Sequence, residues 1–218
     1  MSKNSVFTAA GAAILLCSLL SSGFHARAQT PAANGSTLAG WHTLGRADWR
    51  VENGEIVGSA ANGAGFLLLN NHYADVGVRF LFQCQKCEMG VLVRLARVGD
   101  CSEGSYLSLA GRDAGTMYRL DVDTTRGGTE IGRKPLGQPR GQTNQPVQFT
   151  LKPDGWNDAD LFVSGDYILG YFNDGRIRDF AFGGANIGEK ARFGLVGLRI
   201  GAGEVRIKDI SIRDLTAR

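Results

Sequence analysis

The sequence predicts an antiparallel β-sandwich, because short β-branched and aromatic runs alternate with turn residues and no long amphipathic helical stretch occurs after residue 37. The 31 glycines have no three-residue period, which suits many turns between short strands. Eleven strands at this spacing are typical of a sandwich. We expect them at 49–57, 66–69, 76–83, 89–98, 106–109, 117–122, 147–151, 160–163, 167–172, 193–200 and 204–212, with a long loop at 124–145.

The N-terminus has the pattern of a secretory signal. Lys3 precedes an apolar stretch from Val6 to Leu20, and Ala26-Arg27-Ala28 forms an A-x-A cleavage site. A transmembrane anchor is the alternative, but the stretch is shorter than the roughly 20 residues that a spanning helix needs. We therefore expect a signal peptide at 1–28, a disordered leader at 29–37 and one domain at 38–218, located in the periplasm or secreted, with no transmembrane anchor after processing.

The charge of the processed chain is nearly balanced. Cleavage after Ala28 removes Lys3 and Arg27 and no acid, which leaves 22 basic and 21 acidic side chains. These basic residues are scattered along the sequence rather than clustered. The sequence therefore predicts no nucleic-acid partner.

Residues 76–95 alternate between apolar and polar positions and predict a β-hairpin. A two-residue turn at Gln85-Lys86 would place Cys84 opposite Cys87, where cross-strand Cα atoms lie about 4.5–5.5 Å apart, within disulfide range. The same register would bring Arg79 and Arg94 together on the polar face. A zinc site is the alternative reading of C-x-x-C, but its second half is missing, so we expect a disulfide and no metal.

Motifs that identify common enzyme classes are missing from the sequence. It contains no G-x-S-x-G elbow, no H-E-x-x-H motif, no P-loop and no dinucleotide fingerprint. Composition and spacing alone therefore predict a secreted β-sandwich and no particular chemistry.

Eight short segments match, in order, those of one known family. They are Leu38–Trp41, Trp49–Gly58, Gly65–Asp75, Gly90–Arg94, Trp156-Asn157, Phe172–Gly175, Gly194–Leu198 and Gly203–Leu215. They are distributed along almost the whole processed chain, and together they resemble the 3-keto-disaccharide hydrolase family. The resemblance implies a jelly-roll, concanavalin A-like sandwich with a sugar-sized groove on its concave sheet.

The resemblance also implies an activity: hydrolysis or elimination at glycosides whose sugar is oxidised at carbon 3. A 3-keto group acidifies the C2 proton, so a base and a cation near the developing enolate could expel the anomeric substituent. No organic cofactor is implied, and the partner is a small saccharide or glycoside. The candidate catalytic residues are Arg94, as the cation, with Glu88 and Asp121; the candidate substrate-binding residues are Arg79, Tyr106 and Trp156.

A non-catalytic, carbohydrate-binding sandwich of the same fold is the alternative function. Members of the family carry acids where this chain has Gly77 and Leu81, and a Glu where it has Tyr106. Each candidate also has a structural interpretation. The two arginines could form an ion-paired strand face, the two acids could be surface residues, and the two aromatic residues could belong to the core or to an edge.

Overall fold

The chain forms twelve β-strands and one short 3₁₀ turn in a computed structural model that describes residues 37–138, 145, 149–173, 175–181 (backbone alone from 178) and 193–216. The strands are β1 (Trp41–Gly45), β2 (Asp48–Glu52), β3 (Glu55–Ser59), β4 (Gly65–Tyr73), β5 (Val76–Val98), β6 (Cys101–Ala110), β7 (Met117–Asp123), β8 (Thr129–Gly137), β9 (Asn157–Ser164), β10 (Tyr167–Phe172), β11 (Gly175–Ala181) and β12 (Gly194–Asp214); the 3₁₀ turn is Thr124–Arg126. The predicted signal peptide and all of the predicted leader except Thr37 lie outside the described residues.

Two antiparallel layers share the long strands β5 and β12. The front sheet has the order β1-β4-β12-β5-β6-β7-β8. The back sheet has the order β2-β3-β12-β5-β9-β10-β11. The first half of β5 pairs with β9 and its second half pairs with β6, so the strand passes from the back sheet into the front sheet. This arrangement confirms the predicted all-β jelly-roll sandwich.

The predicted hairpin at Gln85-Lys86 is wrong, although the disulfide that it suggested is confirmed. β5 continues through these residues and pairs with β12 on both sides of them, as Glu204 opposite Gln85 and Ala202 opposite Glu88 show. Lys86 has a positive φ of 54°, which marks a bend inside one strand. Cys84 and Cys87 are joined across that bend with a Cα–Cα distance of 5.4 Å.

The predicted alternation of apolar residues is present on both sides of the bend, because the apolar side chains of both halves of β5 point into the same core. Phe80 and Phe82 from the first half and Val91 and Val93 from the second half lie in one core between the sheets. A strand that changes sheets and a hairpin therefore produce the same apolar pattern, which is why the pattern alone could not separate them.

The front sheet curls so that its two edges meet. The Gly45 amide of β1 donates a 2.7 Å hydrogen bond to the carbonyl of Gly127, which lies between β7 and β8. Curling closes the concave face around a second apolar cluster, formed by Phe66, Leu68, Leu92, Leu95, Tyr106, Leu120 and Val122. Within the ranges given above, no helix is long and apolar enough to cross a membrane.

Two expected local structures are also corrected. The segment 124–145 was predicted as a loop, but it contains the 3₁₀ turn and all of β8. In the strand predicted at 147–151, residues 149–151 are not in a strand, and the first two residues lie outside the described part.

Candidate functional site: an arginine-lined groove on the concave face

A groove of about 880 Å³ lies where the two edges of the front sheet approach each other. Its charged lining consists of four arginines and one glutamate, and Phe66 is one of its apolar walls; the charged residues are Arg46, Arg126, Glu130, Arg133 and Arg199. The volume is in the range of small-molecule sites in proteins. The groove is therefore large enough for a disaccharide, and its lining carries more arginines than acids.

The floor of the groove is an ion-pair cluster centred on Glu130. Arg133 donates to the two carboxylate oxygens of Glu130 at 2.8 and 3.2 Å, and Arg199 approaches Oε2 from Nε and Nη2 at 2.8 and 2.7 Å. Burial alone would raise the pKa of Glu130, but the two guanidinium groups hold that pKa below its ordinary value. Glu130 is therefore an ionised bridge that orients both arginines.

Two neighbouring tyrosines, with ring centres 6.3 Å apart, support these arginines from the side of the sheet. The guanidinium carbon of Arg133 lies 5.1 Å from the ring centre of Tyr118 and 5.3 Å from that of Tyr106, and Arg199 lies 5.4 Å from Tyr106. Aromatic faces attract cations at such distances. Tyr106 fits because Gly90 beneath it has no side chain; a Cβ there would lie 2.7 Å from the ring. Burial raises the pKa of Tyr106, which keeps its hydroxyl neutral.

Asp113 extends the cluster along the concave face. It accepts hydrogen bonds from Arg133 Nη1 at 3.2 Å and from the Ser108 hydroxyl at 2.8 Å. Burial, followed by a hydrogen bond to Asp113, raises the pKa of the Tyr118 hydroxyl. Arg133 is thus held on two sides by carboxylates, and its position is well defined.

One buried nitrogen of Arg199 lies near the Glu88 carboxylate without an acceptor of its own. Arg199 is 5% exposed, and its Nη1 has no hydrogen-bond partner among the described residues. A Cβ on Gly201 would lie 2.5 Å from this Nη1 and 3.0 Å from Oε2 of Glu88. The absence of a side chain at Gly201 therefore lets the Arg199 guanidinium and the Glu88 carboxylate both approach the β12 backbone closely, and it places an acid near an unsatisfied cationic donor.

The structure brings two of the predicted site residues to this region. Glu88 and Tyr106 are on the concave face, because residues 88, 90 and 92 of β5 and residues 106 and 108 of β6 alternate with the buried core positions. Asp121 is on the other face of β7 from Tyr118 and faces Arg119 at 3.8 Å. It therefore points away from the groove.

Arg94 is in a structural position rather than on an open polar face. It is 2% exposed and lies in a bulge of β5 with a positive φ of 56°. Its Nε donates to the Ala74 carbonyl at 3.0 Å, and its Nη2 lies 3.3 Å from Asp75. Asp75 in turn accepts the amide of Gly165 at 2.9 Å. Arg94 thus joins the β4–β5 turn to the β9–β10 turn.

Arg79 and Trp156 are on the outer face of the back sheet. Arg79 pairs with Asp158 at 3.2 Å, and Lys208 Nζ lies 3.9 Å from the ring centre of Trp156. The expectation that Arg79 and Arg94 emerge together is wrong, because it depended on the hairpin that does not form. The six predicted catalytic and substrate-binding residues are thus divided among several places, and only Glu88 and Tyr106 are on the concave face.

Sequence reasoning missed Arg199, Arg133, Glu130 and Asp113. A signal for Arg199 was present, since it alternates with the apolar residues Leu198 and Ile200 in a predicted strand. Glu130 and Arg133 lie in the Gly-, Arg- and Pro-rich segment that favours a loop. In the part of the chain that the structure describes, no three His, Cys, Asp or Glu side chains are placed to hold a metal ion.

The fold is a jelly-roll sandwich with a groove on its concave face. Residues 28–213 match the model of the 3-keto-alpha-glucoside-1,2-lyase-like domain. The chain belongs to this family, as its sequence resemblance had predicted.

Several solved structures share the fold. A candidate glycosyl hydrolase from Parabacteroides distasonis has a TM-score of 0.59 and 17% identity, over 86% of this chain and 94% of that one. A Bacillus subtilis protein of unknown function with a galectin-like fold has a TM-score of 0.56 and 14% identity, over 80% and 89%. A carbohydrate-binding module from Bacillus subtilis has a TM-score of 0.52 and 11% identity, over 80% and 95%. Comparison of the sequence with curated proteins gives no match.

Proposed function

We propose that this protein is an exported enzyme that cleaves glycosides oxidised at carbon 3, by elimination across C1 and C2 of the oxidised sugar. The observation that carries the proposal is the pair formed by Glu88 and the unsatisfied Nη1 of Arg199, which both lie close to Gly201 on the concave face. The family to which the chain belongs is described by a 1,2-lyase activity on 3-keto-alpha-glucosides, and the pair supplies the two groups that such a reaction requires.

The chemistry follows from the acidity of the C2 proton beside a ketone. Glu88 takes this proton, and the C–H electron pair forms an enolate whose negative charge is on the C3 oxygen. The enolate then re-forms the ketone, its electrons make the C1=C2 double bond, and the bond from C1 to the glycosidic oxygen breaks. The leaving oxygen takes up a proton, so the products are an unsaturated 3-keto sugar and the free aglycone. Water added later across C1=C2 would make the overall reaction a hydrolysis.

Arg199 is well placed to stabilise the enolate because its position is fixed before any ligand arrives. Glu130 holds its Nε and Nη2, and Tyr106 packs against its guanidinium group. A preorganised donor in a site shielded from water is worth about 10²–10³ in rate when it faces developing charge. Arg199 thus takes the role of the cation that the sequence had suggested for Arg94. The Arg94 guanidinium instead binds the Ala74 carbonyl and the Asp75 carboxylate.

The test is turnover of a 3-keto disaccharide by the purified protein, with release of the aglycone followed over time. Glu88→Gln should lower kcat by about 10²–10⁴, the usual contribution of a positioned acid or base, while binding persists. Glu52→Gln is the matched control, because Glu52 forms ion pairs on the exposed surface and should retain full activity. Binding without turnover by the unmodified protein would contradict the proposal and favour the carbohydrate-binding alternative.

Export to the periplasm or the medium is the second part of the proposal. It is supported by the charged residue Lys3, the apolar stretch and the A-x-A site that ends at Ala28. The intact mass of the protein recovered outside the cytoplasm should correspond to a chain that begins at Gln29. A protein that keeps Met1 and stays in the cytoplasm would contradict it.

A further inference from the structure

The lining of the groove contains more arginines than acids, and one of these arginines has no acidic partner among the described residues. The processed chain would be nearly neutral, yet the groove collects Arg46, Arg126, Arg133 and Arg199 around Glu130 as its one lining acid among the described residues. Glu130 is shared by Arg133 and Arg199, and Arg133 also pairs with Asp113 at 3.2 Å. With Arg126 paired to Asp123, the excess positive charge of the groove is that of Arg46.

Two of these arginines have donors without an acidic partner. The Arg46 guanidinium lies at the rim of the groove beside Gly63, and a Cβ on Gly63 would be 2.8 Å from the Arg46 Nε. Among the described residues, no carboxylate lies within ion-pair distance of Arg46. At the floor, the buried Nη1 of Arg199 lacks an acceptor in the same set of residues. Arg126 is paired with Asp123, at 3.4 Å. The rim thus carries one unpaired charge, at Arg46, and the floor carries one unsatisfied donor, at Arg199, whose charge is paired with Glu130.

A buried cationic donor without an acceptor is costly, and a ligand that supplies an anionic oxygen removes the cost. Arginine is the side chain best suited to this purpose, because its planar fork matches a carboxylate or sulfate. A neutral sugar ring alone would leave the charge of Arg46 unmatched. The arrangement thus selects for a ligand that carries negative charge as well as hydroxyl groups.

We propose that the groove is specific for an anionic saccharide, one that carries a carboxylate or sulfate group, with the oxyanion bound at Arg46. The part of this inference that concerns a reacting sugar at Glu88 and Arg199 rests on the proposed function, whereas the preference for charge does not. The four arginines also attract such a ligand from solution, so the preference weakens as salt screens the exposed rim.

The experiment compares cellobiose with its carboxylated counterpart, cellobiouronic acid, by calorimetric titration at low salt and at about 1 M salt, where the Debye length falls to about 3 Å. We expect the acid to bind at least about tenfold more tightly at low salt, the range of one charge-assisted hydrogen bond, and to lose most of this advantage at high salt. Sulfated cellobiose distinguishes the two sources of the oxyanion. Tighter binding of either anionic sugar than of cellobiose supports the proposal, and equal binding of all three sugars overturns it.

Arg46→Gln is the informative variant, and Arg50→Gln is its matched control. Both remove one positive charge, but Arg50 lies outside the groove, on β2, among three carboxylates. Arg46→Gln should reduce the ratio of acid to neutral affinity by several-fold, and Arg50→Gln should leave the ratio unchanged. An unchanged ratio in Arg46→Gln, with the folded structure retained by circular dichroism, also overturns the assignment.

Turnover of the 3-keto forms of the same two sugars separates this inference from the proposed function. If the acid binds preferentially but neither 3-keto form is cleaved, the proposed reaction fails and the charge preference stands. If both 3-keto forms are cleaved with equal kcat/KM at low salt, the reaction stands and the charge preference fails.

Discussion

Replacement of Glu130 by glutamine tests whether one carboxylate organises the floor of the groove. Glu130→Gln keeps the size of the side chain and one acceptor oxygen but removes the charge that compensates two arginines. Arg199 has a side-chain exposure of 7%, and Glu130 itself has 21%. The variant therefore leaves a cation almost fully buried with no opposite charge in contact.

The expected loss of unfolding free energy is about 3 kcal/mol. Removal of one partner from a buried ion pair costs roughly 3–5 kcal/mol, and the lower end applies because Glu130 is partly exposed and glutamine retains an acceptor. For a chain of this size each kcal/mol lowers the melting temperature by roughly 2–4 °C, so thermal unfolding should shift by about 6–12 °C. Far-ultraviolet circular dichroism and urea unfolding measure both quantities.

The contribution of Glu130 to stability should depend on pH in a defined direction. The folded state lowers the pKa of Glu130, so its contribution to stability is fully present above the ordinary carboxyl pKa of about 4.3 and disappears as the pH falls through the lower, folded value. The difference between the unmodified protein and Glu130→Gln should therefore be largest near pH 7 and should vanish in acid. Glu52→Gln should have the same melting temperature as the unmodified protein. Equal melting of the Glu130 and Glu52 variants at pH 7 would refute the reasoning.

Three further predictions concern the supports of the site. Gly90→Ala forces a methyl group against the Tyr106 ring and the Leu107 carbonyl and should cost roughly 1–3 kcal/mol in urea unfolding; unchanged stability would show that the ring moves freely. The double change Cys84→Ala and Cys87→Ala should cost about 2 kcal/mol, the value for so short a loop, whereas Cys101→Ala should cost nothing measurable because that thiol is free. Arg94→Lys should lower stability by roughly 1–3 kcal/mol and leave kcat intact; a lower kcat at unchanged stability would restore the expected catalytic role.

The class of fold was predictable because strand patterns and glycine-rich turns are local features. The pairing partners of each strand could not be predicted in this way, and β5 is the example. The alternation at residues 76–95 is the same for a hairpin and for one strand that bends between two sheets. The disulfide was predicted correctly because a four-residue span brings the two cysteines together in either case. β8 was missed because it is an edge strand, and its sequence of proline, glycines and charged residues has no apolar alternation.

The candidate site was only partly predictable for the same reason. Glu88 and Tyr106 could be identified because their position in an alternating strand decides which face they occupy. Arg199 became a candidate only when the structure placed β12 beside β5, with Arg199 opposite Gly90 and next to Tyr106. Such long-range pairing depends on the complete sheet and is not encoded in any short segment of the sequence.

The central claim is that Glu88 removes the C2 proton of a 3-keto sugar on the concave face. Its most direct test is cleavage of a 3-keto disaccharide in D₂O, with the C2 hydrogen observed by NMR as the aglycone is released. We predict that each cleavage event removes the C2 proton, and that Glu88→Gln abolishes both cleavage and loss of this proton above the rate without enzyme. Release of the aglycone with the C2 proton retained would contradict the elimination mechanism and the role of Glu88.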